Sequence, residues 1–181
     1  MESIVLGAGC FWCTDAVFRH MHGVTRVVVG YAGGFTERPT YEEVCGGGTG
    51  HAEVARVEFD PTQITLEQVL EVFFKMHDPT SVDRQGDDVG TQYRSIILYA
   101  SDDQLPTIEG SMRHQSTVYR GPLATKVERL KEFYPAEEYH QNYFEKHPNA
   151  SYCAFVVRPK VEKVRSTFPN LAEGDDRARP A

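Results

Sequence analysis

The sequence predicts an α+β fold, a mixed α/β sandwich that forms a single domain. The chain has 181 residues, of which 40% are hydrophobic and 25% charged, so it can bury one core of ordinary composition. Short β-branched or alternating runs are separated by segments with apolar residues at helical spacing, and the two kinds do not alternate regularly. This order favours helices packed against a sheet around a ferredoxin-like core.

Five runs are typical of strands because they are β-branched or alternate between apolar and polar residues. They cover residues 3–8, 24–31, 51–60, 94–100 and 123–130. In the third run Glu53 shares a face with Ala55, Val57 and Phe59. Because side chains alternate across a strand, the carboxyl of Glu53 should point into the core.

Helical spacing and capping signals mark the segments between these strands. Helices are expected over 10–21, 61–78, 101–120 and 135–148, with a short helical turn at 40–44. The segment YCAFVVRP, residues 152–159, is expected to extend or to dock beside the sheet. We expect the folded domain to cover residues 1–165 and a polar, flexible tail to cover 166–181.

The charge balance argues against two classes of partner. The formal net charge is −7 and the pI about 5.5, so a basic face for nucleic acid or for an anionic membrane is not favoured. No apolar run approaches the roughly 18 to 20 residues that a membrane span needs. No basic segment precedes the first apolar run, so we expect no signal peptide and a cytoplasmic location. We also expect a monomer.

The stretch GAGCFWCTDAVF, residues 7–18, places a cysteine where a strand meets a helix. There Cys10 would lie beside free backbone N–H groups and the positive end of the helix dipole, and both lower the pKa of a thiol. Gly7 and Gly9 permit a tight turn, and Trp12, the single tryptophan of the chain, is close by. A buried structural cysteine is the alternative, but these features favour a reactive thiolate.

Cys13 completes a Cys-x-x-Cys motif, which has three interpretations. A zinc site would need a second pair of ligands, whereas Cys45 and Cys153 each stand alone, so no metal is expected. The two thiols could instead form a redox pair over the first helical turn. In the third interpretation Cys13 is only a small residue inside the helix.

Acidic residues supply candidate proton donors. If Glu53 is buried without a cationic partner, its pKa is raised and it can donate a proton near neutral pH. An ion pair with His51 or Arg56 is the alternative, and the sequence does not decide between them. Asp87 and Asp88 are typical of a turn, and their spacing does not fit a calcium-binding loop.

Seven motifs then occur in a fixed order along the chain: GCFWCTDAVF, GYAGG, PTYEEVC, TGHAEV, HDPT, DRQGDDVGTQYRS and AEEYHQNYFEKHP. Together they resemble the peptide methionine sulfoxide reductases of the A type, over about residues 3–160. A single Cys-x-x-Cys is a weak signal, whereas several uncommon motifs in order are specific. The resemblance implies a catalytic domain that reduces methionine-S-sulfoxide, free or in proteins, without a cofactor.

The resemblance also assigns roles to residues of the polar side of the site. Cys10 matches the nucleophile that attacks the sulfoxide sulfur. Glu53 matches the acid that protonates the sulfoxide oxygen, and Tyr41 and Tyr93 match phenols that assist it. Asp88 matches an acidic residue that orders the polar side of the pocket. A neutral Glu53 suits this role, because an ionised carboxylate would repel both the thiolate and the oxygen.

The same resemblance implies an apolar wall and a recycling thiol. Phe11 and Trp12 match the wall that holds the S-methyl group of the substrate. The reaction leaves a sulfenic acid on Cys10, which a second thiol converts to a disulfide that a thioredoxin-like donor reduces. Cys153 is the first candidate for that thiol because of its place near the C-terminus, Cys13 the second and Cys45 the third.

Three positions depart from the common pattern of that family. Cys13 replaces a common Gly, Asp15 a common Glu and Asp87 a common Asn, and no cysteine follows Cys153. Two other functions remain open on the sequence. A general thiol–disulfide oxidoreductase would use Cys10 and Cys13 together, and a zinc-binding or peptide-binding module would need no catalysis at all.

Overall fold

A mixed sheet carries the fold in the computed structural model, which describes residues 1–172 of the chain. The strands of that range are β1 (Glu2–Ala8), β2 (Val24–Ala32), β3 (Ala52–Phe59), β4 (Arg84–Gln85), β5 (Asp88–Val89), β6 (Ser95–Tyr99), β7 (Lys126–Arg129) and β8 (Phe133–Pro135). Six of them form one sheet in the order β7-β6-β1-β3-β2-β8, and β4 and β5 form a separate hairpin. The β6–β7 pair is parallel and the other pairs are antiparallel. The α+β fold predicted from the sequence is confirmed.

The helices lie between and after these strands. They are α1 (Phe11–Phe18), α2 (Tyr41–Cys45), α3 (Leu66–Met76), α4 (Leu105–Val118), α5 (Tyr143–Lys146) and α6 (Arg158–Thr167), with a π-helical segment at Cys153–Val157 directly before α6. Helices α1, α3 and α6 pack together against one face of the sheet. Most of the buried side chains belong to the core between that face and these helices. Helices α3 and α6 each present an apolar face to it, whereas α1 is buried on nearly all sides. No helix within residues 1–172 is long and apolar enough to cross a membrane.

Helix α3 begins at a complete capping box. The side chain of Thr65 accepts from Gln68 N at 3.1 Å, and Gln68 Oε1 accepts from Thr65 N at 2.9 Å, so two otherwise free N–H groups are satisfied. We expect Thr65→Ala to lower the free energy of unfolding by about 1 kcal/mol, measured by urea denaturation. Glu71→Ala, at an exposed position of the same helix, is the control. An equal loss in both variants would contradict this role of the cap.

Two segments differ from the prediction. Residues 135–148 do not form one helix, because a 3₁₀ turn at Glu138–His140 is followed by Asn142 at φ +54 before α5 begins. The side chain of Gln141 bonds both N and O of Val29, and Asn142 N donates to Asp15 Oδ2 at 2.8 Å. These bonds fix the backbone in place of helical hydrogen bonds.

The segment 152–159 is helical rather than extended. Its buried residues continue into α6 at spacings of four, four and three, which is one face of a helix: Cys153, Val157, Val161 and Val164. The boundary at residue 165 stays a prediction, although Phe168 and Leu171 pack against the core and Leu171 O accepts from His22 N at 2.6 Å. Residues 173–181 of the predicted tail lie outside the described range.

Candidate active site

The turn between β1 and α1 presents Cys10 at the edge of the core. Gly9 adopts φ +91, a conformation that favours glycine, and an added Cβ there would lie 2.8 Å from Gln85 Cβ. Cys10 is the N-cap residue of α1, but its side chain makes no capping hydrogen bond. Its residue is 8% exposed, so the sulfur is nearly enclosed.

The carboxyl of Glu53 accepts a hydrogen bond at the N-terminus of α1, where the sequence predicts the sulfur of Cys10. Glu53 lies on β3 opposite Tyr31 of β2, and its Oε1 accepts from Phe11 N, the first residue of α1, at 3.2 Å. Its Oε2 is buried without a partner, and the residue is only 1% exposed. Burial raises the pKa of Glu53 to about 8, against the hydrogen bond from Phe11. The carboxyl is therefore mostly protonated at neutral pH, as a proton donor must be.

The alternative in which Glu53 forms an ion pair is not adopted. His51 accepts a hydrogen bond from Gly34 N at its Nδ1 and contacts Thr36 O at its Nε2. Both ring nitrogens therefore bind the backbone of the loop before α2. Arg56 lies 3.5 Å from Glu58. Neither basic residue pairs with Glu53, so neither cation offsets the burial that raises its pKa.

Burial opposes the thiolate that the helix start favours at Cys10. Burial, the neighbouring thiol of Cys13 and the carboxyl of Glu53 raise the pKa of Cys10 well above that of an ordinary thiol, whereas the backbone N–H of Trp12 lowers it. The neighbouring Cys10 thiol and Lys160 lower the pKa of Cys13, against the effect of burial. The thiolate at Cys10 stays a prediction.

The three other polar residues implied by the resemblance lie around Cys10 and Glu53. Burial raises the pKa of Tyr41 and of Tyr93, and both phenols are close enough to Glu53 for its charge to add to that effect. Asp88, at the start of β5, accepts a hydrogen bond from the hydroxyl of Tyr152 and raises the pKa of Glu53 further. Tyr41 and Tyr93 thus keep their protons and can act as hydrogen-bond donors.

An aromatic group forms the apolar side of the site. Phe11 is buried, whereas Trp12 is partly exposed. The indole of Trp12 stacks on Tyr143 with centroids 3.8 Å apart and planes at 4°, and Tyr152 meets it edge-on at 5.8 Å. Trp12 Nε1 donates to His140 Nδ1 at 3.1 Å. The indole is therefore held on several sides, and its free surface can contact a small apolar group.

Several of these neighbours are not predicted from the sequence. His140, Tyr143 and Tyr152 contact Trp12, and Glu137 accepts from Tyr31 Oη at 3.0 Å and from Tyr41 N at 3.2 Å. Three of the four lie in AEEYHQNYFEKHP, which is rich in aromatic residues and histidine between two prolines. That composition indicates a functional site, although the sequence predicts a single helix for the segment.

The remaining cysteines lie on two different sides of Cys10. Cys153 is fully buried in the π-helical segment. Burial raises its pKa, and the neighbouring Cys13 raises it further. Cys45 is exposed at the end of α2, where its thiol contacts the side chain of Tyr41. Within residues 1–172 no group of three or more His, Cys, Asp or Glu side chains could hold a metal ion.

Two positions that depart from the family pattern have structural contacts. Asp15 is buried in α1, where its Oδ1 accepts from Arg19 Nε at 2.8 Å and its Oδ2 accepts from Asn142 N. Burial raises the pKa of Asp15 even so. Asp87 is exposed at the turn between β4 and β5. Asp15 therefore ties α1 to the segment before α5, next to the aromatic group.

A buried thiol pair beside a protonated carboxyl and an aromatic wall defines a cysteine-dependent oxidoreductase, and the comparisons name its kind. The family model for peptide methionine sulfoxide reductase matches residues 2–172. The chain belongs to the peptide methionine sulfoxide reductase family. The MsrA of Haloquadratum walsbyi is 52% identical, covering 92% of this chain and 96% of that protein. The MsrA of Thermus thermophilus is 51% identical, with 94% and 97% covered.

Solved structures agree with this assignment. Reduced Mxr1 from Saccharomyces cerevisiae superposes with a TM-score of 0.79 at 38% identity, covering 84% of this chain and 88% of that one. Methionine sulfoxide reductase A of Corynebacterium diphtheriae superposes with a TM-score of 0.75 at 37% identity, covering 82% and 76%. Mxr1 in complex with Trx2 gives 0.56 at 29% identity, covering 78% and 84%. The chain is therefore a methionine sulfoxide reductase in fold as well as in sequence.

Proposed function

We propose that this enzyme reduces methionine-S-sulfoxide, free or in proteins, with Cys10 as the nucleophile and Glu53 as the proton donor. One observation carries the proposal: the amide of Phe11, next to Cys10, holds the carboxyl of Glu53, whose pKa of about 8 keeps it protonated. The S–O group would face Glu53, Tyr41 and Tyr93, and the S-methyl group would lie against the aromatic wall.

The reductive step transfers one oxygen atom and two electrons. The sulfur of Cys10 attacks the sulfoxide sulfur and forms an Sγ–S bond, while Glu53 gives its proton to the sulfoxide oxygen and so weakens the S–O bond. The protonated oxygen then passes from the substrate sulfur to the sulfur of Cys10 as the Sγ–S bond breaks. Cys10 is left as a sulfenic acid, and the substrate, which keeps the electron pair, leaves as methionine. The thiol proton of Cys10 must leave first, and in this proposal the neighbouring Cys13, whose pKa is lowered, receives it in its thiolate form.

The substrate assignment is tested with two peptides that each carry one methionine sulfoxide, of S or R configuration. With dithiothreitol as reductant, we expect methionine from the S epimer and little from the R epimer, measured by liquid chromatography. Equal rates for both epimers would refute the stereochemical part. Insulin reduction that matches the rate on the S-sulfoxide would instead favour a general thiol–disulfide oxidoreductase using Cys10 and Cys13.

Sequence and geometry favour different residues as the thiol that resolves the sulfenic acid. The sequence favours Cys153 for its position near the C-terminus. Cys13 lies in the first turn of α1, whose N-cap is Cys10, and its pKa is lowered; both observations support Cys13 as the first partner. Cys153 lies beyond Cys13, where it could take over the disulfide by exchange.

We expect a Cys10–Cys13 disulfide after one turnover without reductant, identified by peptide mapping. In Cys13→Ser the sulfenic acid of Cys10 should persist long enough to be trapped by dimedone, whereas in Cys153→Ser the first disulfide should still form. Cys45→Ser is the matched control. If the wild type gives only a Cys10–Cys153 disulfide at the earliest times, Cys153 resolves directly.

A thioredoxin-like protein is the proposed reductant of that disulfide. The yeast relative has been solved with Trx2, and its fold matches this chain with a TM-score of 0.56. The exchange balances because the donor's dithiol becomes a disulfide while the enzyme regains two thiols. Turnover supported by thioredoxin and its reductase, but not by the reductase alone, would support this partner.

Three further assignments extend the same proposal. The strand order β6-β1-β3-β2, antiparallel throughout, supports a ferredoxin-like core. A cytoplasmic monomer is part of the proposal, and the net charge of −7 argues against nucleic-acid or anionic-membrane partners. Sedimentation of the purified protein as a species near 20.4 kDa would support the monomer.

A further inference from the structure

The hydrogen bond between Trp12 and His140 fixes the tautomer of a buried histidine. The indole nitrogen can only donate, so His140 Nδ1, 3.1 Å away, must be unprotonated and accept. A neutral imidazole then carries its single proton on Nε2. That atom is buried and has no hydrogen-bond partner. His140 itself is 1% exposed.

His140 lies inside the aromatic group rather than at its margin. Its ring centroid is 4.6 Å from that of Tyr41, 5.0 Å from Phe11, 5.8 Å from Trp12 and 4.1 Å from Tyr139. An unpartnered buried N–H costs free energy that a phenyl ring at the same place would avoid. The hydrogen bond at Nδ1 is therefore what a histidine offers there and an apolar aromatic residue does not.

We propose that His140 is a positioning residue, whose neutral Nδ1 fixes Trp12 in the orientation that receives the S-methyl group of the substrate. The inference rests on the proposed function for the identity of that group. Once His140 is protonated, Nδ1 carries a proton and can no longer accept from Trp12. The apolar wall is therefore complete only while His140 is neutral.

The groups that face His140 decide at which pH this happens. Glu137, of the same segment, favours the charged imidazolium, whereas burial disfavours it and has the larger effect, so the pKa of His140 is lowered. Tyr139 of this segment and Tyr41 of α2 have raised pKa values and stay neutral below pH 9. Phe11 and Trp12 of α1 carry no charge. His140 is therefore neutral at pH 7 and becomes charged only at acidic pH.

Two substitutions separate the hydrogen bond from the packing. His140→Phe keeps a ring but removes the acceptor, whereas His140→Asn places an amide oxygen near the position of Nδ1. We expect His140→Phe to raise the KM for an S-sulfoxide peptide about tenfold with a smaller change in kcat, because one hydrogen bond is lost. His140→Asn should recover most of that loss. His114→Asn, at an exposed position of α4, is the matched control.

Trp12 is the single tryptophan, so its fluorescence reports this contact without substrate and independently of the proposed reaction. We expect the emission of the wild type to change at acidic pH and the change to vanish in His140→Asn and His140→Phe. An unchanged KM in His140→Phe, or an acid transition that persists in both variants, would overturn the proposal. Should His140→Phe fail to fold, the titration of His140→Asn against the wild type decides alone. Failure of the wild type to reduce the peptide would count against the proposed function instead.

Discussion

Replacing Cys10 by Ser is expected to abolish methionine formation, with a loss on the order of 10³-fold or more. A serine hydroxyl cannot give the sulfenic acid through which oxygen leaves the substrate, and it is a much weaker nucleophile than sulfur. The measurement is methionine released from an S-sulfoxide peptide in a single turnover, with enzyme in excess. This format removes any contribution from recycling.

The other cysteines supply the controls for that result. In a single turnover Cys45→Ser and Cys153→Ser should each release methionine at close to the wild-type rate, since neither thiol lies at the proposed reacting sulfur. Cys13→Ser should slow the step moderately, because Cys13 is the proposed acceptor of the Cys10 proton. Residual activity of Cys10→Ser above a few per cent would contradict the assignment of the nucleophile.

Glu53→Gln is expected to slow the reductive step by about 10²-fold to 10³-fold, the usual contribution of a general acid. The amide still occupies the site but has no acidic proton to give. The wild-type rate should fall as the pH rises through about 8, because the donor loses its proton there. In the variant this limb of the pH profile should be absent. A limb of the same midpoint in both proteins would assign it to another group, such as the Cys10–Cys13 pair.

The same carboxyl should appear in the pH dependence of stability. Its pKa is about 8 in the folded protein against an ordinary 4.5, so between these values the folded state binds more protons than the unfolded state. The contribution of this group to the free energy of unfolding is therefore fully present below about pH 4.5. It is lost as the pH rises toward 8, by up to about 1.4 kcal/mol per pH unit. Urea unfolding at pH 5 and 8 should show a smaller decrease in Glu53→Gln than in the wild type.

Local patterns in the sequence were sufficient for most of the fold. The β-branched and alternating runs, the cap at Thr65 and the glycine before Cys10 each specify structure through short-range physics. The inward direction of Glu53 followed from strand alternation alone. The break in residues 135–148 did not, because it depends on Gln141 bonding a strand more than a hundred residues away.

The electrostatics of the site could be predicted only in part. The neutral Glu53 was one of two open alternatives, and the structure decides it by committing His51 and Arg56 to other partners. The helix start predicts a lowered pKa at Cys10, whereas burial and the neighbouring Cys13 and Glu53 raise it. Burial is a property of the assembled fold, so a local motif cannot supply it.

The π-helical segment at Cys153–Val157 has a consequence for how the chain tolerates change. Such a turn holds an additional residue compared with an α-helical one, so everything before it is rotated by about 100° relative to α6. That rotation sets the directions of both Tyr152 and Cys153. Removing one residue between Cys153 and Val157 would make this segment α-helical. The hydroxyl of Tyr152 would then lose its contact with Asp88, and the thiol of Cys153 would point in another direction. The number of residues in this segment is thus a constraint of its own, in addition to the side chains of Cys153 and Val157.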